Sequence, residues 1–377
     1  MVPRDARQPH RVASSLELFF DLVFVVAVST ASAQLHHSLS AGDVQHGLTS
    51  YAMLFFAIWW AWMNFTWFAT AFDTDDWLYR VTTIVQMGGV LVLAAGIPNA
   101  FEHGRYEIVV IGYVVMRVAM VAQWVRASRG AGPLRRATLR YAGGIAAVQV
   151  LWVLFLLLPT GPVQIVAFAV FALLEVSIPV IAERDARTPW HPHHITERYG
   201  LFTLIVLGES LLASANAIID ALHEAESFAP FLSISVLTLV VTAALWWIYF
   251  WPEHHTAVGS FGRSLRYGYT HYLVFAAAAA FSAGIETELD VLTGHSDLTQ
   301  TAASFTVTVP IAVFLLCVWW LVIRPARDRV IDIVMPTGAL LVLLDPILPV
   351  PVALTAVIVA AIVVVLVVRE TAARADA

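Results

Sequence analysis

The chain has 377 residues, of which 59% are apolar and 13% charged, with a formal net charge of -6. Soluble globular proteins carry roughly 25% charged residues, so this composition excludes a water-soluble fold that solvates its own surface. The charges form no basic or acidic block, which excludes a nucleic-acid partner, and the single cysteine, Cys317, excludes an intrachain disulfide or a thiolate cluster.

At the start of the chain, Arg4, Arg7 and Arg11 precede an apolar run that ends in Ala31-Ser32-Ala33, the pattern of a cleavable leader. Glu17 and Asp21 lie inside that run, and charges are foreign to the apolar region of a leader, so the run reads as the first membrane helix. A bilayer core about 30 Å thick takes about 20 helical residues. Twelve apolar stretches meet that length: 16-37, 48-70, 79-100, 107-127, 138-158, 162-182, 195-222, 228-251, 264-286, 302-324, 329-348 and 350-369. The last is almost entirely Val, Ala, Leu and Ile and is expected to face lipid, with a turn at Pro349 to Pro351 before it. The expected fold is all-α, a polytopic membrane helix bundle with about twelve transmembrane helices in a single membrane domain over residues 1-377.

All 21 basic residues are arginine. With the N-terminus inside, all but Arg105 and Arg117 fall on cytoplasmic segments or helix ends, the asymmetry that basic residues show across membranes. Both termini are therefore expected in the cytoplasm, and the expected location is the bacterial inner membrane. Trp246, Trp247, Tyr249 and Trp251 fit an interfacial aromatic belt. Spacing suggests two parallel six-helix repeats, 1-188 and 189-377. Asp21 and Glu209 are 188 residues apart, Trp59-Trp60 and Trp246-Trp247 are 187 apart, and Ala95-Gly96-Ile97 recurs as Ala283-Gly284-Ile285.

Ionisable groups at membrane depth are costly unless paired, protonated or wetted. Arg117, Glu175 and Glu209 all fall near the middle of their spans, roughly 15 Å deep at 1.5 Å per residue. Arg117 is expected to contact Glu175 or Glu209, leaving the other carboxylate for proton exchange. In helix seven Arg198, Glu209 and Asn216 stack on one face with Ser210 and Ser214 beside them, and helix one carries Glu17 and Asp21 one turn apart. Such stripes fit either the walls of a wet cavity or polar helix packing. His271, with Gln86 and Asn64, lies at a depth that would extend a cavity toward the cytoplasm. A loop holding His191, His193 and His194 leads to Glu197; its residues are metal-ligand types, but no HExxH pattern is present and the prolines interrupt a regular ligand face, so no metal or other cofactor is assigned. No phosphate loop, nucleophile elbow or Ser-His-Asp order is present, so no motif supports an enzyme.

The stretches ELFFDLVFV, Glu17 to Val25, and HITERYGLFTLIVLGE, His194 to Glu209, resemble the two signature regions of the bacterial low temperature requirement protein A family. The resemblance covers most of the chain and singles out Glu17, Asp21, His194, Glu197, Arg198, Gly208 and Glu209. It implies a multi-pass membrane protein and carries no settled biochemical activity. The expected function is transport or ion permeation through a cavity lined by helices one and seven, with Glu209, Glu175 and Arg117 at its centre. The partners are then the lipid bilayer and a small solute or ion of undetermined identity, in an undetermined oligomeric state. Two alternatives stand beside it: a membrane enzyme or metal-dependent protein using the histidine-rich segment, and a structural or cold-stress protein whose buried charges only specify packing.

Overall fold

The computed structural model describes residues 1-5, 8, 11-72, 74-224, 229-326, 328-348 and 353-375. Among these the chain is all-helical, and twelve helices are long and apolar enough to cross a membrane. They are α1 Ser15–Ser40, α2 Val44–Phe72, α3 Trp77–His103, α4 Glu107–Ser128, α5 Arg135–Phe155, α6 Pro162–Ala182, α7 Pro192–Glu224, α8 Ala229–Phe250, α9 Phe261–Thr293, α10 Gln300–Val318, α11 Arg329–Leu344 and α12 Ala353–Ala375. All twelve expected spans correspond to helices; the Pro349 to Pro351 turn lies outside the described residues.

Local chemistry sets the helix starts. Ser14 and Glu17 form a capping box at the head of α1: the Glu17 side chain accepts the Ser14 N–H at 2.8 Å, and the Ser14 hydroxyl accepts the Glu17 N–H at 3.3 Å. Asp76 caps α3 by accepting the Tyr79 N–H. Proline opens both α6 and α7, where its missing N–H is no loss. This corrects one boundary, because the segment expected as a histidine loop already belongs to α7 from Pro192 onward. His194 and Arg198 therefore lie one helical turn apart on the same face.

The chain divides into two compact units. The first comprises Met1–Ala31 and Thr49–Tyr199, the second Ser32–Leu48 and Gly200–Ala377. Within the first unit α3 to α6 pack as successive neighbours. The α3 to α4 hairpin is tight because Gly96 has no side chain: a Cβ there would meet the Val109 nitrogen at 2.6 Å. The core of this unit is aromatic, with Trp60, Trp62, Phe65 and Phe68 of α2 buried.

Within the second unit α9, α10, α11 and α12 pack in order and α12 returns against α8. Gly284 does for α9 and α10 what Gly96 does for α3 and α4, since a Cβ on it would sit 2.4 Å from the Thr306 carbonyl oxygen. On α12, Val357, Val364 and Val368 are exposed, and on α6 so are Val166 and Leu173, which is the surface a hydrocarbon environment accepts.

Candidate functional site

The first unit buries a charge cluster at the heads of α1 and α7. Glu17 and Asp21 lie in the first two turns of α1, where the helix dipole favours anions. Arg198, fully buried, reaches them from α7. Its Nε donates to Asp21 Oδ2 at 2.8 Å, its Nη2 to Asp21 Oδ1 at 2.5 Å and its Nη1 to Glu17 Oε1 at 3.0 Å. The guanidinium thus grips one carboxylate with two donors and the other with a third, the fork geometry that distinguishes arginine from lysine. Trp62 Nε1 donates to Asp21 Oδ1 at 2.7 Å, and the Phe65 ring lies 5.9 Å from the guanidinium carbon.

His194 completes the cluster. Its Nε2 lies 3.1 Å from Glu17 Oε1, at an angle outside hydrogen-bond geometry, and its Nδ1 lies 3.1 Å from the Thr70 hydroxyl. A hydroxyl both donates and accepts, so Thr70 satisfies Nδ1 whether the imidazole is neutral or protonated. Two carboxylates against the Arg198 guanidinium leave one negative charge in excess, and two opposite charges flank them: the buried Arg11, which donates to the Ala69 and Thr70 carbonyls beside His194, and the Glu197 carboxylate. A proton on His194 or on a carboxylate removes that excess, which makes the cluster a place where a proton can be taken up and given back.

A second buried pair in the same unit is built differently. Arg117 Nη2 of α4 donates to Glu175 Oε2 of α6 at 2.5 Å, and both side chains are sealed from the surface. Glu175 also accepts from Trp60 Nε1 at 2.8 Å, Tyr113 Oη at 3.1 Å and Trp152 Nε1 at 3.2 Å. Four donors, one of them the counter-charge, saturate this carboxylate. Trp60 and Trp62 are two residues apart on α2, about 200° around the helix, so α2 sends one indole to each cluster.

Arg117 takes Glu175, one of its two expected partners, among α2, α4, α5 and α6, and Glu209 is buried in the second unit. Arg198 turns to Asp21 and Glu17 of α1; Asn216 is exposed in the second unit. His271 is held by Tyr249 Oη at 2.9 Å and the Tyr267 carbonyl at 2.7 Å, in the second unit, while Gln86 and Asn64 belong to the first. That assigns its proton to Nδ1 and makes Nε2 the acceptor of the Tyr249 hydroxyl. Beside it, burial pushes the His254 imidazole down to about 4 while its Nε2 donates to the Tyr249 carbonyl.

The histidine segment is committed to hydrogen bonds. His191 Nε2 donates to the Gln8 carbonyl at 2.9 Å and its Nδ1 accepts the His194 N–H, while the Glu197 carboxylate accepts the Ala13 N–H at 3.2 Å. His193 extends beside the His191 ring, 6.0 Å between centroids. Among the described residues no group of three His, Cys, Asp or Glu comes together as a metal set.

Sequence reasoning did not single out Trp62, Thr70, Tyr113 or Trp152, and used Trp60 only for its spacing; these are side chains that surround the charges. A signal existed for the Ser14 cap, the S-x-x-E pattern that opens α1.

An uncharacterized protein of Rhizobium meliloti (strain 1021), RA0937, is 32% identical over 257 residues, which is 63% of this chain and 58% of that relative; the match thus spans less than two thirds of the relative's length. The family profile of the bacterial low temperature requirement A protein (LtrA) matches residues 12–368, a range that contains both charge clusters, and the chain belongs to that family.

Proposed function

We propose that this protein moves ions or a small solute across the bacterial inner membrane, with both termini in the cytoplasm, and that the Glu17, Asp21, Arg198 and His194 cluster exchanges the proton that permeates or drives the movement. The observation that carries this reading is the excess of carboxylate over guanidinium beside a histidine whose partner, Thr70, accepts either protonation state. A cluster built only to join helices needs one carboxylate per arginine, as Arg117 and Glu175 have. The arginine distribution supports the orientation. In this orientation the cluster lies near the cytoplasmic ends of α1 and α7 rather than at the midplane.

The test is proton movement in proteoliposomes loaded with a pH-sensitive dye, under a potassium diffusion potential of either sign. The expected result is a potential-driven pH change well above that of empty liposomes, reduced at least about tenfold, or ~1.4 kcal/mol in barrier, by Glu17→Gln and by His194→Gln. Flux equal to that of empty liposomes at both polarities contradicts the proposal.

A further inference from the structure

The last part of α1, from Ser32 to Ser40, belongs to the second unit and meets α9 there. The Ser32 hydroxyl donates to the Ala279 carbonyl at 2.7 Å, and the Ser40 hydroxyl donates to Asp290 Oδ2 at 2.6 Å. Between them, on the same face of α1, stands His36. Its Nδ1 lies 3.1 Å from Glu286 Oε2 and its Nε2 lies 2.7 Å from Asp290 Oδ2, so one imidazole bridges two carboxylates a single turn apart on α9. The turn after α9 is tied to the same corner, where the His295 N–H donates to the Asp290 carbonyl and the Asp297 N–H to the Ser40 carbonyl, both at 2.8 Å.

A neutral imidazole has one N–H and can donate to only one of the two carboxylates. The second contact is satisfied only when a further proton is bound, on the ring or on a carboxyl group. That proton lowers the negative charge of the three groups from two to one, and no bond breaks when it arrives. Fixed positive charge does not take its place, because residues 32-48 and 267-323 contain no arginine or lysine. The basic groups on the adjoining segments are histidines: His37, whose ring lies 5.0 Å from that of His36, His46 in the first turn of α2, and His295. Asp43 and Asp297 are the acids of the adjoining turns, and Glu288, between Glu286 and Asp290 on α9, accepts from Gln300. His36 is 14% exposed and Glu286 and Asp290 are 30% and 29% exposed, beside a polar turn at the helix ends, so water reaches them; His271 of the same α9 is sealed.

We propose that His36, Glu286 and Asp290 form a proton-exchange site on the external side of the membrane, where the proton exchanged by the Glu17, Asp21, Arg198 and His194 cluster enters or leaves. The assignment rests on the transport reading given above. In that orientation α1 starts in the cytoplasm, with Glu17 and Asp21 in its first two turns, and the end that carries His36 is external.

The test combines proton flux with a direct count of the protons on His36, both on the full chain in liposomes. Histidines are labelled with nitrogen-15, and the His36 resonances are identified by their loss in His36→Gln. The expected result is a reversible change between one and two ring N–H protons on His36 as the pH is varied from about 5 to about 10, displaced by at least about one pH unit in Glu286→Gln. In the dye assay His36→Gln and Glu286→Gln should each reduce the potential-driven flux at least about tenfold. Ser32→Ala removes a bond between α1 and α9 without touching the three groups, and should leave the flux unchanged. The external site is overturned, and the transport reading left standing, by flux undiminished in His36→Gln or, if that variant does not fold, in Glu286→Gln. A His36 ring whose N–H count stays constant over that pH range overturns it equally. Flux absent from the unaltered chain overturns both.

Discussion

The two buried arginines of the first unit sit in opposite electrostatic situations. Arg117 meets a single carboxylate, Glu175, already wrapped by two indoles and a phenol, so the charges balance and the carboxylate's hydrogen bonds close, with the Arg117 Nε left unpartnered. Arg198 meets two carboxylates, and the shell around them ends in an imidazole and a hydroxyl that have more than one way to be satisfied. The first arrangement has one low-energy protonation state and serves as a rivet between α4 and α6. In the second, the extra carboxylate and the two-way Thr70 partner leave room for a proton, which is what the proposed exchange requires. The difference lies in what accompanies each charge rather than in how deeply it is buried, since both arginines are sealed from the surface.

That contrast is sharpened by substitutions that act on one cluster and spare the other. Glu175→Leu should have the largest effect on stability. It leaves the Arg117 guanidinium and three neutral donors without their acceptor, and the loss expected for half of a buried pair is about 3–5 kcal/mol. It should appear as a collapse of the unfolding midpoint in detergent or as failure to recover monodisperse protein.

The next effect is one of pH. In the folded chain the His254 imidazole titrates at about 4, below its ordinary value of 6.5, because it is buried against Tyr249 and Tyr267. Between those values the unfolded chain binds the extra proton. Stability is therefore fully present above pH 6.5 and falls as pH drops toward 4, by on the order of 3 kcal/mol. His254→Gln should flatten that part of a stability-versus-pH curve. Its effect is separable from His194, because a structural histidine leaves proton flux at neutral pH unchanged.

Smaller still is the loss of one donor. Trp62→Phe removes the indole bond to Asp21 and should cost about 1–2 kcal/mol in unfolding experiments. Trp60→Phe should cost less, since Glu175 keeps three other donors. The smallest stability change belongs to Glu17→Gln, because glutamine also serves at the third position of a capping box. The unfolding midpoint should move little while the proton movement described above is lost. A variant that lost both in proportion would place Glu17 with Glu175, among the rivets.

Much of this was legible in the chain itself. Spans of about twenty apolar residues identify all twelve helices because hydrocarbon leaves the backbone no other way to satisfy its polar groups. The motif residues Glu17, Asp21, His194 and Arg198 were visible as polar letters in apolar runs. Their assembly was not, because it depends on α7 starting at Pro192, which places His194 and Arg198 on one face. Depth alone could not decide which carboxylate Arg117 takes, since Glu175 and Glu209 both lie near the middle of their helices. Lateral packing settled it, and tryptophan positions carry no sign in a sequence of whether an indole faces lipid or a buried carboxylate.

The most direct test of the central claim is an infrared titration of the reconstituted protein, which records carboxyl and imidazole protonation as the pH is lowered from about 8 to about 5. A reversible protonation change is predicted in that range, reduced or displaced by both Asp21→Asn and His194→Gln and unchanged in Trp60→Phe, whose indole serves the Arg117 and Glu175 pair. A spectrum with no such change, or one that persists unaltered in both cluster variants, would show that the Arg198 cluster is as fixed in charge as its neighbour and would contradict the account.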